Sequence, residues 1–252
     1  MLIIGRNPII EAIKFNGSSV KKIVLLGNAT DSKVNEILNQ AKEFNITVER
    51  STKEDFAKYF DDKNKSEGIS QGIIAEVTDF EYSDFEASLN ELSDLKATTI
   101  ILLDEIHDPH NLGAIIRTSS AAGADLIVLT AKNTAKINHT VIKSSSGATN
   151  YIKIVQINSI YDTIKRLKEH EFDIVGTSLN AKNSLFDYEF KSKTVIVFGN
   201  EGTGLRTNII RRCDSLIKIP IENKKIESLN VSVSAGIILY ERLRRSKNNK
   251  MA

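Results

Sequence analysis

The chain has 252 residues, of which 41% are hydrophobic and 26% charged, and its formal net charge at pH 7 is +2. This composition is typical of a globular protein, and the length suits one large or two modest domains. The single cysteine, Cys213, excludes a disulfide framework and a cysteine-based zinc cluster, so we expect a reducing, cytoplasmic compartment.

The first residues argue against secretion. Arg6 and Pro8 interrupt the N-terminus where a signal peptide needs an apolar run. No stretch of the sequence approaches the ~18 apolar residues of a membrane span. We therefore expect no membrane segment.

Residues 1–77 are predicted to form a small α/β domain. It contains an amphipathic helix over 32–44 and alternating strand-like runs. The strand-like runs are 23–26, 46–50 and 72–77. The following segment, 78–96, has six acidic residues against one lysine and few long apolar runs. It is predicted to be an acidic linker or a peripheral helix, and we place the domain boundary there.

Residues 97–252 are predicted to form a larger domain. Near-continuous Ile, Val and Leu runs alternate there with helical segments, which is typical of parallel strands covered on both faces. The predicted strands are Thr99–Ile106, Leu126–Thr130, Tyr151–Ile157, Asp173–Leu179, Thr194–Gly199 and Leu216–Pro220. A helix over about 230–245 ends the pattern. The domain has 22 basic residues against 15 acidic ones, which suits either contact with phosphates or a solvated lysine-rich surface.

Three polar segments follow predicted strands, at the edge where open α/β sheets bind ligands. In the first segment, Asn111 is predicted to cap a helix that carries Gly113, Arg117 and Thr118 in its first two turns. A helix start together with a guanidinium suits a phosphate or a ribose oxygen. A capped surface helix with an incidental arginine explains this segment, taken alone, equally well.

The second segment, 195–205, contains Gly199, Gly202 and Gly204. Its Gly-x-x-Gly-x-Gly spacing differs from the dinucleotide fingerprint, so a Rossmann dehydrogenase is a weak alternative. No Gly-Lys-Ser/Thr follows, so the segment is not a Walker loop either. Glycines this close together let the backbone approach a ligand, and Glu201 between them is able to accept hydrogen bonds from amines or hydroxyls.

The third segment begins at Ile219-Pro220 and leads through a loop to the last helix. Asn230 and Ser232 lie near the start of that helix, where such residues are most often caps. His107 and His110 are three residues apart in a turn, but no second cluster completes a metal site, so we expect no metal. The absence of a Gly-x-Ser-x-Gly motif leaves covalent hydrolase chemistry without support.

Taken in order, three motifs resemble the signatures of the SpoU/TrmH family, which are SPOUT-class RNA ribose 2′-O-methyltransferases. They are Asn111-x-Gly-x-x-x-Arg117-Thr118, Phe198-Gly-x-Glu-Gly-x-Gly204, and Ile219-Pro followed by Ser228-Leu-Asn-Val-Ser232. The resemblance covers about residues 98–245. The preceding segment resembles the small ribosomal-protein-like RNA-binding domain of the 23S rRNA guanosine branch, with Gln71-Gly72 at its closing strand. Ser70 stands where relatives commonly have His.

The resemblance implies an α/β fold with a mostly parallel sheet, a C-terminal trefoil knot, and a homodimer whose active sites lie at the subunit interface. It also implies that S-adenosyl-L-methionine binds among three loops of the larger domain. The cofactor-binding residues that it implies are Thr177, Leu179, Gly199, Gly204, Ile219 and Leu229. The implied partner is RNA, namely 23S rRNA or a ribosomal precursor.

The catalytic residues implied by the resemblance are Asn111, Arg117, Glu201, Asn230 and Ser232. A sulfonium already makes its methyl group electrophilic, so the enzyme must align the ribose oxygen and help to remove its proton. The resemblance implies that Arg117 lies beside the ribose oxygen and performs this task. Because an arginine stays protonated, we expect Arg117 to orient the substrate and stabilise charge.

Three other functions are compatible with the motifs. A tRNA ribose methyltransferase of the same family is disfavoured by the long N-terminal domain, because the tRNA members typically carry short basic extensions. Adenosine methylation of the thiostrepton-resistance type shares the two-domain layout and stays open. An inactive RNA-binding ribosome assembly factor is disfavoured because all five implied catalytic residues are present.

Overall fold

The computed structural model describes residues 1–27, 31–60, 71–223 and 225–248. Ser70, the position at which the resemblance implies a histidine, lies outside the described residues. The chain divides into two compact units between Phe80 and Glu81. Each unit has its own buried core.

The smaller unit has a four-stranded sheet within its described residues. Its elements are β1 (Leu2–Ile4), α1 (Arg6–Asn16), β2 (Val20–Leu26), α2 (Ser32–Glu43), β3 (Thr47–Ser51), α3 (Lys53–Ala57) and β4 (Ile73–Val77). The strand order is β1-β4-β2-β3, in which β2 and β3 are parallel and the other pairs are antiparallel. The predicted α/β character of this segment is confirmed.

Helix α2 shows why the sequence pattern over 32–44 predicts a helix. The Asp31 carboxylate accepts hydrogen bonds from the backbone N–H groups of Lys33 and Val34, at 3.1 and 3.2 Å, and so caps the helix. Val34, Ile37 and Ala41 recur at helical spacing, and all three are buried against the sheet core.

The larger unit contains a seven-stranded sheet in which every pair of neighbouring strands is parallel. Its elements are α4 (Phe85–Ser93), β5 (Thr98–Leu103), α5 (Pro109–Ala121), β6 (Leu126–Thr130), α6 (His139–Ser144), β7 (Lys153–Ile157), α7 (Ile160–Glu169), β8 (Asp173–Thr177), β9 (Asn183–Ser184), β10 (Lys193–Phe198), α8 (Thr207–Ile210), β11 (Ser215–Lys218) and α9 (Val231–Asn248). The strand order is β7-β6-β5-β10-β8-β11-β9.

The central strands of this sheet are buried along their whole length. All six residues of β5 are buried, as are the five of β6. A strand covered on both faces needs apolar side chains at consecutive positions, which explains the continuous Ile, Val and Leu runs. The predicted parallel α/β sheet is confirmed.

The segment 78–96, predicted to be an acidic linker or a peripheral helix, contains helix α4. From Glu81 onward the chain belongs to the larger unit, and Leu89 of α4 is fully buried in that unit's core. The surface acids Glu86 and Glu91 each form an ion pair with a cationic side chain of another element. Further acids flank the helix at Glu81, Asp84 and Asp94, so the segment has the composition of a linker although Leu89 and Leu92 are part of the core.

Helix α9 packs against α5. Its buried positions are Val231, Ala235, Ile238 and Leu239. Gly236 lies at the crossing, because a Cβ atom placed on it would be 3.6 Å from Cγ2 of Thr118 on α5. Among the helices of the described residues, none has the length and apolarity that a membrane span requires.

Candidate active site

A cavity of about 390 Å³ opens where β8, β10 and β11 end. Because parallel strands finish at one edge of the sheet, the loops that follow them meet there. The cavity is lined by residues from 177–180, 198–205, 217–221 and 227–229 and by the buried face of α9. Six lining residues are those that the resemblance implied for cofactor binding, namely Thr177, Leu179, Gly199, Gly204, Ile219 and Leu229.

The loop after β10, residues 199–205, is closed by its own hydrogen bonds. The backbone N–H of Gly204 donates to the carbonyl oxygen of Asn200 at 2.9 Å. The side-chain oxygen of Asn200 accepts from the N–H groups of Gly202 and Thr203, at 2.9 and 3.2 Å. These hydrogen bonds within the loop stabilise its conformation.

The reason for glycine at position 199 differs from the sequence interpretation. A Cβ atom on Gly199 would lie 2.3 Å from the carbonyl carbon of Gly204 and 2.4 Å from the nitrogen of Leu205. The close approach that requires glycine is thus made by the loop itself. Gly204 has φ +68° and no atom within 4 Å of its hypothetical Cβ, so its backbone conformation is what favours glycine.

Asn111 is not the cap of α5, and that prediction is wrong. The Asp108 side chain accepts from the N–H of His110 at 2.8 Å, and Pro109 occupies the first helical position. Proline suits this position because its ring fixes φ and it has no N–H to leave unpaired. Asn111 therefore lies inside the first turn, and its amide is available for longer-range contacts.

The Asn111 amide connects two of the motif segments. Its nitrogen donates to the Glu201 carboxylate at 3.3 Å, and its oxygen accepts from the Asn230 side chain at 3.0 Å. Glu201 also lies 3.4 Å from the backbone nitrogen of Asp108. The three implied residues thus form a continuous hydrogen-bonded chain, with Glu201 at the wall of the cavity.

Asn230 caps α9, as predicted. Its side-chain oxygen accepts from the N–H and the hydroxyl of Ser232, at 2.8 and 2.6 Å. Both implied catalytic residues of the third motif therefore belong to the hydrogen-bonded series that runs through Asn111 to Glu201. Four of the five implied catalytic residues lie together at this edge of the sheet.

Arg117 stands apart from that group. A Cβ atom on Gly113 would lie 1.8 Å from Oγ of Ser144, so the Gly113 face of α5 packs on α6. Arg117, four residues later, projects from the same face, about 120° around the helix from Asn111. The Arg117 side chain is exposed, and within the described residues it has no hydrogen-bond or ion-pair partner.

A charged pair that the sequence interpretation missed lies beside the glycine loop. Asp104, 1% exposed at the end of β5, accepts from Nη2 and Nε of Arg206 at 2.6 and 3.1 Å. Burial raises the pKa of Asp104, and the Arg206 guanidinium opposes that rise. The available signal was an acid that directly follows six consecutive buried strand residues.

His107 and His110 do not form part of a metal centre in the described residues, where no group of three or more His, Cys, Asp or Glu side chains is arranged to hold an ion. The Cys213 thiol is half-buried, and burial raises its pKa to about 11. A thiol with so high a pKa is a poor nucleophile at neutral pH.

Two family models match the chain. The SpoU rRNA Methylase family matches residues 98–240, and the RNA 2′-O ribose methyltransferase substrate-binding family matches residues 2–83. The first match covers more than half of the chain and includes all three motif segments.

Similar proteins agree with these matches. A Staphylococcus aureus protein named as a TrmH family tRNA/rRNA methyltransferase is 32% identical over 247 residues, which are 97% of this chain and 96% of the relative. An AdoMet-bound rRNA methyltransferase from Sinorhizobium meliloti is 25% identical, with a TM-score of 0.68 over 97% of this chain and 87% of that one. The AdoMet complex of the SpoU methyltransferase AviRb from Streptomyces viridochromogenes, 23% identical, shares the fold with a TM-score of 0.72 over 98% and 90% of the two chains. The chain therefore belongs to the SpoU/TrmH family of RNA methyltransferases.

Proposed function

We propose that this protein is a cytoplasmic enzyme that methylates a ribose 2′-hydroxyl in ribosomal RNA, with S-adenosyl-L-methionine as methyl donor and a guanosine of 23S rRNA as target. One observation carries the proposal. The six residues that the motifs imply for cofactor binding come from three separate loops, and all six line the same cavity.

The cavity fits this cofactor in size and in chemistry. Its volume of about 390 Å³ lies in the range of small-molecule sites. Apolar side chains such as Leu179 and Ile219 suit an adenine ring, while Glu201 and the loop backbone offer hydrogen bonds to polar groups. When bound, the cofactor supplies a methyl group made electrophilic by the sulfonium. The Sinorhizobium and Streptomyces relatives are both described with AdoMet bound.

The protein's own residues have two tasks in this reaction. Asn111, Glu201, Asn230 and Ser232 form a hydrogen-bonded wall beside the cavity, and we assign them to positioning the ribose. Arg117 is assigned to orienting the 2′-oxygen and to stabilising the charge that develops as its proton leaves. A guanidinium is a poor proton acceptor at neutral pH, so the Arg117 role is electrostatic.

We propose a homodimer to account for the position of Arg117. Within one chain this side chain is exposed on the α6 side of α5 and outside the cavity lining. We propose that Arg117 of one copy completes the cavity of a second copy. Coexpression of Arg117→Ala with Gly199→Val tests this arrangement. Random pairing of two individually inactive chains restores about a quarter of the sites if each site uses both copies, and none if it uses one.

Ribosomal RNA is the substrate that the domain organisation favours. We assign residues 1–77 to selecting the RNA, in agreement with the substrate-binding family match over 2–83, and residues 97–252 to catalysis. We also propose the trefoil knot for the C-terminal chain. In its support, β10 lies between β5 and β8, and the chain beyond β11 returns to place α9 on α5.

The decisive experiment maps ribose methylation by mass spectrometry in cells with and without the protein. Loss of one 2′-O-methylguanosine from 23S rRNA is the expected result. Loss of a methyl group from tRNA, or from an adenosine of ribosomal RNA, would replace the proposed substrate by one of the two alternatives. An unchanged methylation map would contradict the enzyme assignment.

A further inference from the structure

We infer that Arg206 is a positioning residue for cofactor binding, because it fastens the 199–205 loop to the end of β5 through Asp104. The inference rests on the proposed cofactor. Arg206 follows the last cavity-lining residue of the loop and does not itself line the cavity. Any effect of Arg206 on the cofactor must therefore pass through the shape and place of the loop.

The loop is attached to its surroundings on the β5 side. At its beginning, the Asn200 side-chain nitrogen donates to the carbonyl oxygen of Glu105 at 3.0 Å. At its end, Arg206 holds Asp104 with two nitrogens and contacts the Glu105 carboxylate with a third, at 3.3 Å. Internal hydrogen bonds hold the loop together as one segment. These attachments therefore fix the position of that segment relative to β5.

Two features make Arg206 the stronger of these attachments. The Asp104 carboxylate is 1% exposed, and a buried carboxylate is strongly stabilised by a bidentate guanidinium. Glu105 has φ +58°, a left-handed conformation that is unfavourable for a non-glycine residue and persists only where its surroundings hold it. The Arg206 contact with its carboxylate and the Thr130 hydroxyl, 3.3 Å from its backbone nitrogen, both do so.

A loop held in the binding geometry loses less conformational entropy when a ligand arrives. Loosening the Arg206 attachment should therefore weaken cofactor affinity, even though no cofactor contact is removed. The turnover number at saturating cofactor should change less than the KM for the cofactor, because binding restores the loop shape. Arg206→Lys keeps the charge but not the planar fork, so it isolates the positioning role.

The same sheet offers a matched control. Lys191 pairs at 2.7 Å with Asp173, which is 3% exposed and is the first residue of β8. This second buried carboxylate with a cationic partner lies at the opposite edge of the sheet from the cavity. Lys191→Gln should lower thermal stability without changing cofactor affinity.

The experiment measures S-adenosylhomocysteine binding by calorimetry and the melting temperature of the full-length protein. We expect the Kd to rise about tenfold in Arg206→Gln, equivalent to about 1.4 kcal/mol, and less in Arg206→Lys. The Lys191→Gln protein should keep the wild-type Kd. A wild-type Kd in both Arg206 variants, or an equal loss in Lys191→Gln, would overturn the inference while leaving the proposed function intact. Failure of the wild-type protein to bind S-adenosylhomocysteine would instead refute the proposed cofactor and the inference with it.

Discussion

Two parts of the active site implied by the motifs are organised differently. The residues implied for cofactor binding come from loops separated by 15 to 20 positions in the chain, yet they surround one cavity. Arg117 belongs to the same helix as Asn111 but faces α6, outside that cavity. Within one chain, the residues implied for cofactor binding already line one cavity, whereas the residue proposed to act on the ribose lies elsewhere.

Deleting the smaller unit tests whether the cofactor side depends on the larger unit alone. A fragment that starts at Glu81 should bind S-adenosylhomocysteine and lose activity on RNA. A fragment that starts at Lys96 also loses α4, and burying Leu89 and Leu92 should be worth on the order of 5 kcal/mol in total. Calorimetry and thermal unfolding of both fragments check this expectation. Equal stability of the two would show that α4 is dispensable to the core.

Arg117→Ala separates the two parts most directly. We expect methyl transfer to fall by about 100-fold or more, because a preorganised charge near the reacting oxygen is lost. Folding and S-adenosylhomocysteine affinity should stay at wild-type levels, since Arg117 contacts neither the core nor the cavity lining. Lys143→Ala on the neighbouring helix α6 is the matched control and should remain active. Near-normal turnover of Arg117→Ala would remove this residue from the mechanism.

Gly199 and Gly204 sharpen the comparison within the cofactor loop. Gly199→Ala introduces a Cβ 2.3 Å from backbone atoms that cannot rotate away, so we expect a stability loss of about 1–3 kcal/mol and failure to bind S-adenosylhomocysteine. Gly204→Ala meets no atom within 4 Å and suffers only from its positive φ, which costs about 1 kcal/mol. Melting temperatures and titrations should therefore rank Gly199→Ala as the more damaging change, and the reverse order would contradict the geometry.

The smallest effect is expected at Glu241, on α9 beyond the cavity. Hydrogen bonds from Arg244 and Arg245 lower the pKa of Glu241 to about 2, against 4.5 for an unperturbed glutamate. A lowered pKa gives stability that is present above pH 4.5 and is lost as the pH falls toward 2. Glu241→Gln should remove that acid-sensitive contribution and cost less than about 1 kcal/mol at pH 7, since both arginines are partly exposed. Urea unfolding at pH 7 and pH 3 measures both quantities.

Salt should distinguish the two ligands of the protein. RNA binding should weaken by about tenfold or more between low and physiological salt, because lysine and arginine contacts displace counterions from phosphates. S-adenosylhomocysteine binding should change little, since the cavity walls are mainly apolar side chains and loop backbone. Filter binding and calorimetry over the same salt series compare the two, and RNA binding that ignores salt would contradict a phosphate-contacting surface.

The sequence by itself determined the parallel sheet and the location of the loops that line the cavity. Burial on both faces forces apolar residues into consecutive positions, so strands such as β5 are visible as local patterns. Parallel strands end at one edge, so motifs placed after them had to meet there. The cap on α9 is equally local, because the Asn230 side chain accepts a hydrogen bond from Ser232, two positions away.

Only the tertiary structure decided the contacts that link distant segments. The hydrogen bond between Glu201 and Asn111 spans 90 positions, and the ion pair of Arg206 with Asp104 spans 102. No local periodicity encodes which of many polar and charged residues will meet. The same limit applies to α4. Its acidic residues are typical of a linker, and only the folded structure shows that Leu89 is buried in the core. It applies also to Gly199. Glycine is required there because the folded loop brings the backbone of Gly204, five residues later, too close for a Cβ atom.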